Sequence, residues 1–480
     1  MNFVRDFVAA QPAGDRAVVT LADDATRHEW TFGELTAASG ALAAAFVEHG
    51  IARGDVVLTL VGNRIEYVLA ILAGLRIGAP VLPCSEQLRP KDIETRLRRA
   101  RPGLVICDER NRAALDAAHP TCPVLSVPDE SLLADRPAPA FAELDALDPA
   151  FVLFTSGTSG EPKLVTHGQR YVFGQTLQAT EWMAARPGEL AWSTAAPGWS
   201  KSARNSFIAP WLGGAAALLQ DERFDPARRL ATIRAESVNV LCMAPTEYRL
   251  IAAAGPIGRL PSLRRAITAG EPLGIPAYET WRAQTGLAIA DGYGQTETSH
   301  VIGVRPGDDA PPGSMGRPLP GIRVDIVDGE LVVDPSTVPT FFLGYDGGTV
   351  PEGMWHTGDH VRADDDGWLY FVARADDVII SAGYRIGPAE VESTLSGHPA
   401  VRECGVFGAP DDVRGQVVAA AVVLRDGYSA GGDLVAELQE FVRAETAPYK
   451  YPRRVWFVDE LPKTTSGKIH RAALRNHVTP

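Results

Sequence analysis

The chain has 480 residues, of which 45% are hydrophobic and 22% are charged, so it has the composition of a globular protein and the length of two or three domains. Its formal net charge of −13 would repel nucleic acids and anionic membranes, and we expect neither as a partner. The five cysteines include no Cys-x-x-Cys pair, which argues against a zinc site or a disulfide framework. With no membrane-length apolar run and no signal-like segment after Met1, the sequence predicts a cytoplasmic protein.

The first half of the chain alternates short apolar strands with helical stretches. Residues 31–34 have the Ser/Thr-x-x-Glu pattern that caps the start of a helix. An apolar strand over residues 56–61 follows, and then a second helix over residues 67–77 that ends at Gly78. Parallel strands need long crossover connections, so this alternation predicts parallel sheets covered by helices.

The pattern changes near residue 320. Residues 323–327 and 330–333 are two strand candidates joined by Asp328-Gly329, which is a strong signal for a hairpin in a small antiparallel unit. After Arg374, about a hundred residues of mixed helix and strand pattern could fold independently. We therefore predict an N-terminal domain over residues 1–375 and a C-terminal domain over residues 376–480.

The segment after the apolar residues 151–154 is suited to binding phosphate. Its glycines let the backbone approach an anion, while hydroxyls, amide hydrogens and a lysine ammonium supply donors. The spacing is not that of the Walker loop, and taken alone the segment could also be a flexible surface turn. The candidate phosphate-binding residues are Thr155, Ser156, Gly157, Thr158, Ser159, Gly160 and Lys163.

A second segment, residues 291–298, combines glycines with an aromatic ring and polar side chains. The Tyr293 ring could stack on a base, and Thr296 and Glu297 offer a hydroxyl and a carboxylate. A carboxylate beside a triphosphate is repelled unless a hard cation lies between them, so Glu297 suggests a ligand of Mg²⁺. For these eight residues alone, a solvated turn is an equally good interpretation.

Three further segments carry nucleotide-binding chemistry. Asp359 could accept hydrogen bonds from both ribose hydroxyls, and Arg374 could donate to the same sugar or to a phosphate. Lys468 lies in the polar stretch of residues 462–469 near the C-terminus. Each of these side chains, taken alone, is more often a solvated charge.

Taken together and in this order, the five segments resemble the adenylate-forming (AMP-binding) superfamily of acyl-CoA synthetases, nonribosomal adenylation domains and luciferases, over essentially the whole chain. Residues 381–392, 398–401, 411–415 and 449–452 look most like the medium-chain acyl-CoA synthetase branch. The resemblance implies an α/β fold: a large N-terminal domain of helix-covered sheets, a small antiparallel barrel-like subdomain, and a mobile α+β C-terminal domain. Members of that branch usually carry an extra N-terminal stretch that this chain lacks.

The resemblance also implies roles in acid activation. Residues 155–163 would hold the β- and γ-phosphates of ATP, Thr296 would contact the α-phosphate, and Glu297 would bind Mg²⁺. Lys468 would bridge a carboxylate oxygen of the acid and the α-phosphate, which lowers the repulsion between them. The residues implied to frame the adenine and the ribose are Gly270, Glu271, Pro272, Asp291, Gly292, Tyr293, Asp359 and Arg374.

A second set of implied roles concerns the transfer of the acyl group to a thiol. The C-terminal domain would rotate about a hinge at Asp376, so that the thiol can reach the carbonyl. Gly383 would line the pantetheine tunnel, and Arg385 would approach the phosphate. Arg414 and Lys450 are candidates for the nucleotide of CoA.

The resemblance places the acyl pocket at Trp199 and Gly292, with residues 198–200, 268–270 and 298–302 around them. Trp199 could equally be a core aromatic. Amino-acid-activating relatives carry an aspartate near Trp199, and Pro197-Gly198-Trp199 contains none. We therefore expect a neutral, apolar acid that is medium-chain, branched or aromatic.

Three functions are compatible with these segments. The first is an acid–CoA ligase that uses ATP, Mg²⁺ and CoA, as a monomer or a homodimer. The second is an adenylating enzyme that passes the acyl group to a carrier protein or to an amine. The third is a nucleotide-binding protein without turnover, and the presence of Lys468, Glu297 and Asp359 argues against it. Arg414 and Lys450 favour CoA over a carrier protein.

Overall fold

The computed structural model describes residues 1–22, 26–133, 136–155, 163–350, 352–381, 384–411, 414–463 and 469–478. Within these ranges, the side chains of residues 376, 385, 448, 472 and 476–478 are not described. No helix in the described ranges is both long and apolar enough to cross a membrane.

Helices of one to five turns cover the sheets of the protein. In chain order they are α1 (Phe32–Glu48), α2 (Ile65–Ile77), α3 (Pro90–Ala100), α4 (Arg112–Asp116), α5 (Arg170–Gly174), α6 (Thr176–Gln178), α7 (Ala209–Leu212), α8 (Pro226–Ala235), α9 (Pro245–Ala254), α10 (Ile275–Thr285), α11 (Pro388–Leu395), α12 (Gly432–Glu445) and α13 (Arg471–Val478).

The strands of the first part of the chain are β1 (Arg16–Leu21), β2 (Arg27–Thr31), β3 (Val57–Leu60), β4 (Val81–Cys84), β5 (Leu104–Asp108), β6 (Val124–Val127), β7 (Pro149–Phe154), β8 (Leu164–Gly168), β9 (Leu190–Ser193), β10 (Ala216–Gln220), β11 (Val240–Met243), β12 (Arg265–Thr268) and β13 (Ile289–Ala290). Those of the second part are β14 (Gly292–Gln295), β15 (Ser299–Gly303), β16 (Arg317–Pro318), β17 (Val324–Val327), β18 (Glu330–Val333), β19 (Gly344–Tyr345), β20 (Trp355–Ala363), β21 (Leu369–Arg374), β22 (Ile379–Ser381), β23 (Tyr384–Ile386), β24 (Val401–Asp411), β25 (Gly415–Leu424) and β26 (Arg454–Phe457).

Two seven-stranded sheets form the large N-terminal part. One has the order β13-β12-β11-β9-β10-β1-β2 and is parallel except for the pair β1–β2. The other has the order β19-β8-β7-β4-β3-β5-β6, and its strands are parallel from β7 to β6. The prediction of parallel sheets covered by helices is confirmed, with antiparallel strands added at one edge of each sheet.

Local sequence signals explain where several elements begin and end. The Thr31 side chain accepts a hydrogen bond from the backbone of Glu34, and the Glu34 carboxylate accepts one from the backbone of Thr31, so α1 begins with a complete capping box. Gly78 ends α2 in the left-handed conformation, with φ of 77°. Asp328 and Gly329 have φ of 51° and 84°, as a tight turn between β17 and β18 requires.

Two small antiparallel sheets make up the barrel-like unit. Their orders are β14-β15-β16 and β17-β18-β20-β21, and an antiparallel bridge between Gly316 and Leu369 joins them. They share one apolar core with the aromatic side chains of Phe341 and Phe342. This unit places the turn between β14 and β15 next to β20 and β21, which is where the site described below forms.

The residues after Asp376 form a separate α+β part. Strands β23-β22-β25-β24 are antiparallel, and β26 pairs with β25 in parallel. Helices α11 and α12 enclose one core with this sheet, and Leu474 of α13 packs into a second core on Phe407. Both cores contain only residues that follow Asp376, and the domain boundary at that residue stays a prediction.

Strand β24 includes two residues that disfavour strands, Gly408 and Pro410. The structure continues the strand to Asp411, and Pro410 lies opposite Gln416 of β25. Pairing with a partner strand therefore outweighs the local preference.

Candidate active site

The strongest cluster of polar side chains surrounds Asp359 on β20. The Tyr293 hydroxyl donates to Asp359 Oδ2 over 2.5 Å, and Gln295 Nε2 donates to the same oxygen over 2.7 Å. Arg374, opposite Asp359 on β21, places Nη1 3.1 Å from Asp359 Oδ1. Three of the segments identified in the sequence therefore converge on one carboxylate.

One oxygen of this carboxylate is available to a ligand. Asp359 is only 3% exposed, and no described residue donates a hydrogen bond to its Oδ1, although Arg374 lies close enough for an ion pair. A buried acceptor without a donor is costly unless a ligand supplies one. The arrangement fits a hydroxyl group such as that of a ribose.

Tyr293 has a different environment from the one the sequence suggested. Its ring is buried in the core of the barrel-like unit, and burial raises the pKa of its hydroxyl well above the ordinary value. The hydroxyl therefore remains protonated and holds Asp359 in place. Stacking of this ring on a base stays a prediction.

A second cluster lies at Glu297, in the turn between β14 and β15. The Tyr345 hydroxyl donates to Glu297 Oε1 over 2.6 Å, and the ammonium of Lys163 lies 4.8 Å from the centre of the Tyr345 ring. Burial and the Glu297 carboxylate raise the pKa of the Tyr345 hydroxyl, so it stays a donor. Tyr345 thus joins the end of the phosphate segment to the predicted Mg²⁺ ligand.

The donor set at Glu297 is compatible with magnesium. No group of three metal-ligating side chains occurs in the described ranges. Mg²⁺ on nucleotides is usually held by one or two carboxylates together with phosphate oxygens and water. Glu297 Oε2 accepts no hydrogen bond from the described residues and remains available for such a role.

Thr296 is positioned through its backbone. His167 Nε2 lies 2.8 Å from the Thr296 carbonyl oxygen, and burial lowers the pKa of His167 to about 3. The ring is therefore neutral, and because a carbonyl oxygen only accepts, Nε2 carries the proton. Sequence analysis did not identify His167, since a single histidine in a strand carries no local signal.

The predicted adenine residues lie at the carboxyl ends of β12 and β13. Gly270 has φ of 107°, and the Glu271 carboxylate accepts from the backbone of Thr246 over 2.9 Å and from Arg249 over 3.1 Å. The Pro272 carbonyl accepts from Arg249 over 2.7 Å. Helix α9 therefore holds residues 270–272 in place.

Asp291 combines burial with an unusual protonation state. Its Oδ1 accepts a hydrogen bond of 2.7 Å from the backbone of Gly292, and burial raises its pKa to about 8. At neutral pH the carboxyl is mostly protonated and can both donate and accept. This is the pattern of donors and acceptors that the edge of a purine base can match.

Gly292 must be a glycine because of His300. A Cβ atom at residue 292 would lie 2.1 Å from Cε1 of His300, whose ring stacks on Trp182 at 3.9 Å. Burial lowers the pKa of His300 well below its ordinary value, so this ring is also neutral. A side chain at residue 292 would displace the wall behind the predicted acyl pocket.

Two basic residues that sequence analysis did not select follow Trp199. Lys201 donates to the Ala269 carbonyl over 2.8 Å and lies 5.0 Å from the centre of the Trp199 ring. Arg204, one helical turn later, donates to Ser200, Gln178 and Ser299. The expectation of an apolar pocket rested on the absence of an aspartate, and it did not consider these two cations.

The C-terminal candidates are described in part. Lys450 forms an ion pair of 2.6 Å with Glu390, so it would have to exchange this partner to bind CoA. The backbone nitrogen of Arg414 donates to Asp411 Oδ1 over 3.0 Å. The backbone at Asp376 lies in a single turn of 3₁₀ helix, Ala375–Asp377.

Several predicted site residues lie outside the described part of the chain, and their roles stay predictions. Thr155 is described, and its backbone nitrogen donates to the Lys163 carbonyl over 3.0 Å. The side chains of Asp376 and Arg385 are not described. The residues outside the described ranges are Ser156, Gly157, Thr158, Ser159, Gly160, Gly383 and Lys468.

Comparison with known families and proteins gives a consistent result. Residues 4–339 match the family of AMP-binding enzymes, and residues 390–468 match the AMP-binding enzyme C-terminal domain. The uncharacterized acyl–CoA ligase YtcI of Bacillus subtilis is 36% identical, over 99% of this chain and 95% of the relative. The mitochondrial acyl-coenzyme A synthetase ACSM3 of Homo sapiens is 36% identical, over 93% of this chain and 83% of the relative.

A solved structure gives the same answer for the fold. The anthranilate CoA ligase AuaEII in complex with anthranoyl-AMP has a TM-score of 0.91 and 27% identity, over 99% of this chain and 97% of that one. The α/β fold with a separate C-terminal domain is therefore confirmed.

Proposed function

Because this chain belongs to the AMP-binding enzyme family and is an AMP-forming acyl-CoA synthetase that uses ATP, Mg²⁺ and CoA, we propose that its substrate is a small or medium-size apolar carboxylic acid. The acid is medium-chain, branched or aromatic. In the first half-reaction its carboxylate attacks the α-phosphorus of ATP, and pyrophosphate leaves with the α,β bridging oxygen. In the second, the CoA thiol attacks the carbonyl of the acyl-adenylate, and AMP leaves.

The observation that carries this proposal is the cluster around Asp359. Its Oδ2 is held by Tyr293 and Gln295, while Oδ1 faces a site with no hydrogen-bond donor from the described residues. A ribose hydroxyl supplies such a donor, and Arg374 beside it can donate to the same sugar. Asp359 is thus prepared for a nucleotide before the nucleotide binds.

The phosphates extend from the ribose towards Glu297 and Lys163. The Thr296 hydroxyl donates a hydrogen bond to the α-phosphate. The hydrogen bond from His167 to the Thr296 carbonyl fixes the backbone at that position. Glu297 would hold Mg²⁺, and the ion would supply positive charge beside the phosphates. Lys163 and the hydroxyl-rich residues 155–160 hold the β- and γ-phosphates.

The adenine lies between residues 270–272 and residues 291–293. A protonated Asp291 carboxyl donates to a ring nitrogen of the base and accepts from its exocyclic amine. Gly270, with φ of 107°, gives the backbone beside the base a conformation that other residues rarely adopt.

The C-terminal domain supplies different residues to each half-reaction. Lys468 neutralises the attacking carboxylate and the α-phosphate during adenylation. Rotation about Asp376 then removes Lys468 and brings Gly383 to the pantetheine, with Arg385 near the phosphate. Arg414 and Lys450 bind the CoA nucleotide, Lys450 by exchanging its bond to Glu390 for a phosphate.

We propose a cytoplasmic location on the basis of the thiols. All five cysteines are free, and four of them are buried. Free thiols persist in a reducing compartment. Cell fractionation tests this, and recovery of the protein in an oxidising compartment would contradict it.

The proposed roles are tested by measuring the two half-reactions separately. In Lys468→Ala, the rate of ATP–pyrophosphate exchange should fall by about a hundredfold or more. Thioester formation from preformed acyl-AMP should be retained. The matched control is Lys463→Ala, because Lys463 belongs to the same loop and pairs with Glu403. Exchange near the wild-type rate in Lys468→Ala would rule out the adenylation role.

Asp376→Pro should give the opposite result, because proline fixes φ and blocks the rotation. Asp376→Ala keeps the backbone free and is the control. Normal thioester formation in Asp376→Pro would rule out the hinge.

The acid and the acceptor are tested together with a panel of carboxylic acids. Pyrophosphate release is measured for each acid with and without CoA, and thioester formation is followed in parallel. We expect release to be faster for acids with an apolar carbon skeleton than for amino acids, and a thioester to form only when CoA is present. Release that is unchanged by CoA, without a thioester, would indicate that the acceptor is a carrier protein or an amine.

A further inference from the structure

Arg204 is a buried cation at the predicted acyl pocket. It begins a π-helical turn, Arg204–Ile208, and is only 5% exposed. Its Nη1 donates to Gln178 Oε1 over 2.7 Å and to Ser299 Oγ over 3.0 Å, and its Nε donates to the Ser200 carbonyl over 3.3 Å. Ser200 and Ser299 belong to two of the three stretches that the resemblance places around the acid.

The charge of this guanidinium is not neutralised by the protein. Its three partners are neutral, and no carboxylate in the described part of the chain pairs with it. Arg229, which is similarly buried, has Glu247 at 2.9 Å. Burial accordingly lowers the pKa of Arg204.

Part of the guanidinium also lacks a hydrogen bond. A guanidinium carries five N–H donors, and the bonds above use Nε and Nη1. Nη2 donates to none of the described residues. A buried cation with unused donors is stabilised by an oxygen that accepts from it.

We propose that Arg204 selects acids that carry a hydrogen-bond-accepting oxygen at the end opposite the reacting carboxyl group. This inference rests on the proposed function and specifies its substrate. The reacting carboxylate lies at Thr296, the apolar middle of the acid passes Trp199 and Gly292, and the distal oxygen accepts from Arg204 Nη2. A carboxylate, a keto oxygen and a phenolic oxygen all have this chemistry, and a carboxylate would also neutralise the charge.

The surrounding side chains favour an oxygen over an amine. Lys201 lies one helical turn before Arg204, and its ammonium donates to the Ala269 carbonyl. His167 and His300, which face Arg204, are neutral because burial lowers the pKa of each. Neither ring therefore offsets or adds to the charge of Arg204, and that positive charge disfavours a substrate ammonium.

The test compares acids of equal length that differ at the far end. For each chain length from butanoate to octanoate, kcat/KM in pyrophosphate release is measured for the plain acid, the oxo acid and the dioic acid. Phenylacetate and 4-hydroxyphenylacetate form an aromatic pair. At the best length we expect wild type to prefer an oxygen-bearing acid by at least about tenfold.

In Arg204→Met, the ratio of kcat/KM between the oxygen-bearing acid and the plain acid should fall to about one. Arg204→Lys should keep part of the preference for the dioic acid and lose it for the oxo acid, because an ammonium lacks the planar pair of donors. Arg76→Met is the matched control, because Arg76 is buried on Phe141 far from these segments and should leave the preference unchanged.

Two outcomes would overturn the inference. One is a wild-type enzyme that uses plain acids as well as oxygen-bearing ones at every length, which can be measured even if Arg204→Met does not fold. The other is an Arg204→Met variant in which kcat/KM falls by the same factor for all acids. That result would assign Arg204 to the reacting carboxyl end. If no acid in the panel releases pyrophosphate, the proposed function fails instead.

Discussion

The Tyr345 hydroxyl donates a hydrogen bond of 2.6 Å to Glu297 Oε1, and its ring lies 4.8 Å from the ammonium of Lys163. One side chain therefore contacts both the proposed Mg²⁺ ligand and the proposed phosphate ligand. The hydrogen bond holds Oε1 of the Glu297 carboxylate, while Oε2 accepts from none of the described residues. The metal affinity of the enzyme should depend on this bond.

Tyr345→Phe removes the hydroxyl and keeps the ring. A hydrogen bond to a charged group contributes about 1.5 kcal/mol, so we expect the Mg²⁺ concentration for half-maximal pyrophosphate release to rise about tenfold. Tyr370→Phe is the control, because the Tyr370 hydroxyl donates over 2.8 Å to Asp364, which lies outside the site. An unchanged Mg²⁺ titration in Tyr345→Phe would mean that Glu297 does not bind the metal or does not need this bond.

A second prediction concerns Asp359 and the ribose. If the free Oδ1 accepts a ribose hydroxyl, wild type should use ATP better than 2′-deoxy-ATP or 3′-deoxy-ATP by about tenfold in kcat/KM. Asp359→Asn weakens the acceptor and should reduce this ratio towards one while it raises the KM for ATP. A variant that discriminates among the three nucleotides as well as wild type does would contradict the assignment.

A third prediction is a pH dependence of stability that comes from Asp291. Burial raises its pKa from 3.8 to about 8 in the folded protein, so between these values the unfolded chain releases a proton that the folded chain keeps. Stability therefore falls as the pH rises through this range, by at most about 1.4 kcal/mol per pH unit.

Asp291→Asn preserves the acceptor for the Gly292 backbone and cannot ionise. The free energy of unfolding of this variant should not show this fall. The variant should therefore become more stable relative to wild type as the pH rises from about 5 to about 8. Urea denaturation at several pH values measures the difference. Parallel curves for the two proteins would show that Asp291 has an ordinary pKa.

The parts of the fold that could be predicted depend on neighbours in the sequence. The capping box at Thr31 and the turn at Asp328 are local signals, and both are found where expected. The end of β24 depends instead on pairing with β25, which continues past Pro410. No local pattern reports that pairing.

The residues of the site also fall into two groups, those with a local sequence signal and those that depend on distant contacts. Glu297 and Asp359 were identified because their segments have distinctive compositions. His167, Tyr345 and Arg204 were missed, because each acts on a residue that is distant in sequence: Thr296 at 129 positions, Glu297 at 48 and Ser299 at 95. A single residue in a strand or helix carries no sign of such a contact.

The last prediction concerns the start of α13, which follows Lys468 in the sequence by three residues. Arg471 donates from Nη2 to both oxygens of Glu392, over 2.7 and 2.8 Å, and its Nη1 lies 3.6 Å from Asp377. Asp377 directly follows the proposed hinge residue, and Glu392 lies on α11. Arg471 therefore connects the start of α13 to α11 and to the first residue after the proposed hinge.

Arg471→Met leaves the partly buried Glu392 carboxylate without its partner, which costs about 1–3 kcal/mol. We expect lower stability of the C-terminal domain and a larger loss of ATP–pyrophosphate exchange than of thioester formation from acyl-AMP, because only the former needs Lys468. Arg443→Met, which removes an exposed pair with Glu440, is the control. In Arg471→Met/Glu392→Met the unpaired charge is gone, so part of the stability should return. If exchange returns with it, Arg471 acts through stability alone; if exchange stays low, the contact positions the lysine.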